Sequence, residues 1–153
     1  MQFEPISGQE NLKDVISSAF DMELSVSGGW GYLLKEATVI EKTNGIPLEQ
    51  LEFTLASMRC YLEMNMTIKA DERFGSINLS EIAREETKQN GTVFHKVTYS
   101  VTAIKESLYN QFIEEYKQGF GKEDFDITAH FNRRKEATIT LPLIHWFEVS
   151  NTL

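Results

Sequence analysis

Cysteine is nearly absent from this 153-residue chain: Cys60 stands alone. It cannot close an internal disulfide, so no disulfide framework holds the fold and nothing calls for an oxidising compartment. Long apolar runs are missing as well. No stretch approaches the ~18 consecutive apolar residues of a membrane-spanning helix. The first residues, Met1-Gln2-Phe3-Glu4-Pro5, lack the basic-then-apolar layout of a signal peptide. The expected location is therefore cytoplasmic, and the Asn-x-Ser/Thr triplets at Asn65, Asn78 and Asn90 read as chance.

Positive charge is scarce. Lys and Arg total 15 against 23 Asp and Glu, a net charge of -8. Non-specific affinity for nucleic acid comes mostly from cations that neutralise phosphates, so no nucleic-acid partner is expected. The same acidity argues against an anionic membrane surface. Catalytic and cofactor motifs are also missing. There is no C-x-x-C, H-E-x-x-H, G-x-S-x-G or phosphate-loop pattern, and no two histidines share a helical i, i+4 spacing. The expectation is no metal, no cofactor and no assigned catalytic residue.

What is present is ordinary globular composition, 41% hydrophobic with nine glycines. The length suits one domain over residues 1–153, with 1–8 as a loose tail. Gln9 to Phe20 carries Leu12, Val15, Ile16 and Ala19 at helical spacing. Met22, Leu24 and Val26 then alternate as a strand, Ser27 to Tyr32 interrupts it, and Glu36 to Lys42 resumes. Pro47 suits a helix first turn, and the leucine spacing predicts a helix over 47–58. Alternation at Cys60, Leu62, Met64, Met66 and Ile68 predicts a strand after it, with one long helix to Asn65 as the alternative. Gln89-Asn90-Gly91 marks a type I′ turn between Ile77–Lys88 and Thr92–Ile104. Ala83 to Lys88 is charged enough to suggest a helical turn inside the first arm.

Lys105 to Gln118 reads as a helix with a Leu108, Phe112, Tyr116 stripe, stopped by Gly119. Phe125, Ile127, Ala129 and Phe131 predict a strand, Asn132-Arg133-Arg134-Lys135 a turn, and Ala137 to Leu143 another strand. Pro142 places that last strand at an edge or a bulge. Lys35-Glu36-Ala37-Thr38-Val39 and Lys135-Glu136-Ala137-Thr138-Ile139 raise the thought of a duplicated helix–strand–strand unit. The fold class expected is α+β: a mainly antiparallel sheet of six or seven strands with two or three helices packed on one face.

Candidate binding residues fall into two sets. Trp30 lies within the glycine cluster Gly28-Gly29-Trp30-Gly31 and Tyr32 follows it, either packing against a turn or forming an aromatic rim for a ligand or partner. Lys96, Thr98, Ser100, Thr102, Thr128, His130, Thr138 and Thr140 would share the non-core face of neighbouring strands. That makes a hydroxyl-rich face, either solvated or covered by a second subunit or polar ligand. His95 falls on the apolar face of its strand, as a hydrogen-bonded core histidine. Cys60, among Met58, Tyr61 and Leu62, reads as a structural thiol.

These features favour a non-catalytic binding or interaction protein, an acidic adaptor or chaperone-like module that meets a protein partner or itself. In size, acidity and mixture of helices and strands alone, the chain is similar to type III secretion chaperones. A small-molecule pocket between sheet and helices is the alternative, and an enzyme using His130 or His95 as general base with a nearby carboxylate is the third reading. Charge is uneven along the chain. Residues 1–75 hold six basic and twelve acidic residues, residues 76–153 nine and eleven. Complementarity to a partner is first to be sought in that asymmetry.

Overall fold

A computed structural model describes residue 6, residues 11–65 and residues 72–152. The described chain is α+β: a five-stranded, mostly antiparallel sheet with four α-helices. The expected six or seven strands and two or three helices are thereby corrected, because two expected strands are helical and two others are only three residues long.

Helix α1 (Leu12–Phe20) starts where the Asn11 side chain accepts from the Lys13 N–H. It stops at Asp21, left-handed at φ 54°, whose N–H bonds back to the Ser17 carbonyl. Leu12 and Ile16 are its buried residues. The strand expected from Met22 shortens to β1 (Val26–Gly28), and the one expected over Glu36–Lys42 to β2 (Thr38–Ile40). The cause is local: Leu34–Glu36 forms a 3-10 turn, and Gly28 bends away at φ 80°.

Helix α2 (Leu48–Asn65) runs unbroken, so the switch to a strand near Arg59 does not occur. Met66 and Ile68 of that expected strand lie outside the described residues. An Arg59–Glu63 ion pair and a Cys60–Met64 sulfur contact bridge successive turns. The alternation at Cys60, Leu62 and Met64 arose because this half is buried nearly all round: Met58, Arg59, Cys60, Leu62, Glu63 and Met64 are all buried.

The hairpin β3 (Phe74–Gln89) and β4 (Thr92–Lys105) turns at Asn90 and Gly91, both at positive φ as a type I′ turn requires. Ala83 to Lys88 is strand, not helical turn, with a bulge between Glu81 and Ala83. Val93, Val97, Tyr99, Val101 and Ala103 are buried on one face of β4, as their alternation indicates.

Helix α3 (Glu106–Gly119) follows β4 directly and ends at the expected glycine, against which the Phe125 ring packs. Helix α4 (Ile127–Ala137) overturns both the strand expected over Phe125–Phe131 and the turn expected at Asn132–Lys135. Asp126 caps it by accepting from the Ala129 N–H at 3.0 Å, and Arg134 and Lys135 sit in the last turn, where cations favour the helix C-terminus.

Strand β5 (Ile139–Glu148) completes the order β1-β2-β5-β4-β3, parallel to β2 and antiparallel to β4. Of β5, Phe147 and Glu148 alone pair with β2, so Pro142, opposite Ser100, lies on an edge-like stretch and no β4–β5 bulge is needed. The two KEAT segments each lead from a helical turn into a strand. No strand precedes α4, however, so a repeated helix–strand–strand unit is not what they mark.

The core lies between one sheet face and helices α1 and α2. Among the described residues, α3 and α4 contribute nothing to it. They form a helical hairpin that joins β4 to β5 and touches β3 and β4.

Candidate functional site

Three polar centres are distinguishable, two in the sheet body and one in the helical hairpin. In the first, α2 places Glu52 against the sheet with no exposed side-chain surface. Arg84 of β3 donates to its Oε1 at 2.9 Å, and His95 Nδ1 lies 2.9 Å from its Oε2. Arg84 also donates to Glu81, and that hydrogen bond, followed by those to Glu52, raises its already high pKa. Nearby Tyr99 is fully buried, and burial, then the Glu52 charge, holds its hydroxyl above the ordinary range. His95 is thus hydrogen-bonded, as expected, but half-buried at the margin of the core and not within it.

The second centre sits beneath the glycine loop. Arg59 donates to Glu63 at 3.0 Å and to the Ile144 carbonyl at 2.7 Å, and its guanidinium lies 3.9 Å from the Tyr32 ring centre. The Tyr32 hydroxyl donates to Glu63 and accepts from the Ile6 N–H. Burial, then the hydrogen bond to Glu63, raises its pKa. His145 is fully buried and stacks on Phe147 with ring centres 4.1 Å apart. Thr38 gives its single hydroxyl proton to the Gly29 carbonyl, so its oxygen accepts from His145 Nε2 at 2.8 Å. That fixes the neutral tautomer and leaves Nδ1 a bare acceptor with no partner among the described residues. Burial, then the Arg59 charge, holds His145 well below the usual histidine pKa. Gly31, at φ 77°, is required here, because a Cβ would fall inside the His145 ring. Cys60, behind this centre, is a buried thiol pushed up to about 12, so it is inert, as its apolar neighbours suggested.

The third centre belongs to the hairpin. His130 is the buried residue of α4, and none is buried in α3. Rings of Phe112, Tyr116, Phe125 and Phe131 surround it at centre distances of 5.8, 5.7, 5.6 and 5.1 Å. Nδ1 lies 3.1 Å from Glu115, which also accepts from Arg133. The His130 hydrogen bond, then the Arg133 charge, holds Glu115 below the usual carboxylate range. Nε2 has no partner among the described residues.

The candidate residues are therefore divided. Trp30 and Tyr32 are half-buried; Trp30 packs against the core and Tyr32 is fixed by Arg59 and Glu63. Thr98 and Ser100 share a half-buried row with Lys96 and Thr102 on the sheet face opposite the core, beside exposed Thr140. That row is interrupted by Pro142, Ile144 and Trp146 across the β4–β5 ladder, so it is less hydroxyl-rich than expected. Thr128 and His130 leave it, because their segment is helix. Thr138 leaves it too: it follows α4, with its hydroxyl donating to the Arg134 carbonyl at 2.7 Å.

The sequence offered no site reading of Glu52, Arg59, Glu63 or Arg84, and the adjacent pair Glu114-Glu115 reads there as solvated charge, whereas Glu115 is engaged by His130 and Arg133. Only the i, i+4 spacing of Arg59 and Glu63 offered a local signal. Beside Glu115, an open cleft of about 470 Å³ is lined mainly by Gln111, Glu114, Gln118, Lys122 and Asp124, with Phe125 at one wall. Among the described residues no group of three His, Cys, Asp or Glu side chains could hold a metal, and no helix is long and apolar enough to cross a membrane. No protein-family profile, curated protein or solved structure matches this chain.

Proposed function

We propose that this protein is a non-catalytic interaction module whose contact element is the α3–α4 hairpin. One observation carries the reading: Leu108, Phe120, Ile127 and Phe131 are exposed by 37, 66, 42 and 47% on a hairpin that buries a single residue. A two-helix element that leaves so much apolar surface in water, in a chain whose core lies elsewhere, fits an element that packs against something else. The polar centres of the body support the same division. Their buried charges pair inward, which suits a scaffold. The general-base reading does find carboxylates beside His95 and His130, yet His130 has no exposed surface and neither does Glu52.

A photo-crosslinking phenylalanine analogue at position 131, with position 61 on α2 as the exposed control, tests the proposal. The expected result is covalent adducts, to a second copy or another protein, from position 131 and not from 61. Equal yields, or none at 131, would count against it. The cleft beside Glu115 favours a second reading, a polar small molecule, but it lies on the hairpin and not between sheet and helices where the alternative expected a pocket. A ligand at 100 times its Kd would add about 2.7 kcal/mol in a thermal-shift screen, and its absence across metabolite classes would remove that reading.

A further inference from the structure

Residues 29–36 cover His145. Gly31 lies so close to that ring that a Cβ would fall 2.1 Å from Cδ2 and 2.4 Å from Nε2. Hydrogen bonds hold the cover down. The Gly31 carbonyl accepts from the Trp146 N–H at 2.9 Å, and the Gly29 carbonyl accepts from Thr38 at 2.7 Å. The Trp30 carbonyl faces Arg59, and the Tyr32 hydroxyl donates to Glu63. Trp30 adds packing against the core, while Leu33 is half exposed. A segment tied mainly by polar contacts opens at a lower free energy than one that buries apolar surface.

Under the closed cover, the His145 ring has no place for a second proton. Its Nε2–H donates to Thr38, and Nδ1 meets no acceptor among the described residues. A charged imidazole carries an N–H at both nitrogens, so Nδ1 would become a buried donor without a partner. The neighbours do not supply the missing anion. From α2, Arg59 reaches the adjacent Ile144 carbonyl and adds like charge, Glu63 is engaged by Arg59 and Tyr32, and Cys60 stays a thiol. In the covering segment Lys35 and Glu36 are exposed; β4 presents Val97 opposite the ring, and β2 presents Thr38. Burial, then the Arg59 charge, accordingly keeps the covered ring neutral. We propose that residues 29–36 are an acid-released lid: protonation of His145 lifts them off β5 and opens the Tyr32–Arg59 centre to solvent. The histidine stays on its strand and the core stays closed; only the cover moves. This lid is independent of the interaction reading above.

Amide exchange of the full chain, followed by NMR, tests the lid. Opening at the Gly31 and Trp146 amides should rise about thirtyfold between pH 7.5 and 5, as for an opening that frees a histidine titrating at about 6.5. At pH 5 these amides should still exchange at a lower free energy than β4 residues 93–104, which need the core to open. His145→Gln should remove the pH dependence at Gly31 and Trp146, although His95 and His130 remain to titrate. Imidazole nitrogen shifts of the wild-type chain give a second measurement that needs no variant to fold. His145 should show the neutral Nε2–H form at pH 7.5 and a charged ring only as the lid amides lose protection. Exchange of Gly31 and Trp146 at the same free energy as β4 would mean that only global unfolding frees the ring, and would overturn the proposal. So would a pH dependence retained in His145→Gln, or a ring that charges while the lid stays protected.

Discussion

In the sheet body, Thr38, Glu52, Arg59, Glu63 and His145 are buried and tied to partners on other elements or loops. In the α3–α4 hairpin, His130 alone is buried, its polar partner Glu115 is on the surface, and the surrounding rings run out to solvent. The contrast is one of redundancy. A body residue is fixed by helix, strand and loop together, so it moves only if the core opens. The hairpin is held by its ring cluster and by contacts of α3 with β3 and β4 and of α4 with β4. Local opening is cheapest where few apolar contacts are buried, and that is also where the exposed apolar strip lies. The body reads as scaffold and the hairpin as the part that meets a partner.

Substitutions can break this contrast, and the largest effect is expected in the body. Glu52→Ala takes from Arg84 and His95 their shared carboxylate and should cost about 3 kcal/mol in urea unfolding, the worth of hydrogen bonds to a charged group, since Arg84 keeps its Glu81 partner. A loss under 1 kcal/mol would mean the network is not structural. Gly31→Ala forces a side chain into the His145 ring at positive φ and should cost roughly 3 kcal/mol, summing left-handed strain and overpacking.

Acid comes next. His145 stays neutral in the fold but titrates near ~6.5 when unfolded, so below that pH the unfolded state gains a proton that the native state refuses. Stability is fully present above ~6.5 and falls as pH drops, by up to about 1.4 kcal/mol per pH unit from this group. His145→Gln should flatten that slope between pH 6.5 and 5, and an unchanged slope would contradict a His145 held neutral in the fold. The smallest effect belongs to the strip. Phe120→Ser should change global stability by no more than about 0.5 kcal/mol, because the ring is two-thirds exposed. A larger loss would show that the hairpin shares the body's core.

Legibility in the sequence divides along the same boundary. The β3–β4 hairpin was readable because Asn90-Gly91 states its own turn, and the β4 core face because one side of that strand is buried. Helix α3 was equally clear in extent, although Gly119 closes it as its last helical residue and not as a left-handed cap. Helix α4 was not. Its apolar residues Ile127, Ala129 and Phe131 follow a period of two only because Ile127 and Phe131 are on the exposed side, so the stripe that normally reports a helix was absent. The Asp126 cap and the cations of the last turn were the signals that outweighed it. Helix α2 misled for the opposite reason: burial on nearly all sides erased its polar face. The buried networks were invisible because Glu52, Arg84 and His95 meet only through the tertiary fold, and Thr38 and His145 are 107 positions apart.

Native-state hydrogen exchange measures the contrast most directly. The amides of α3 and α4, residues 106–137, should open at a free energy well below that of β4 residues 93–104, and His130→Ala should lower the hairpin's protection while leaving β4 nearly unchanged. Equal protection of the two regions, lost together in His130→Ala, would show a single cooperative unit and contradict the division into scaffold and contact element.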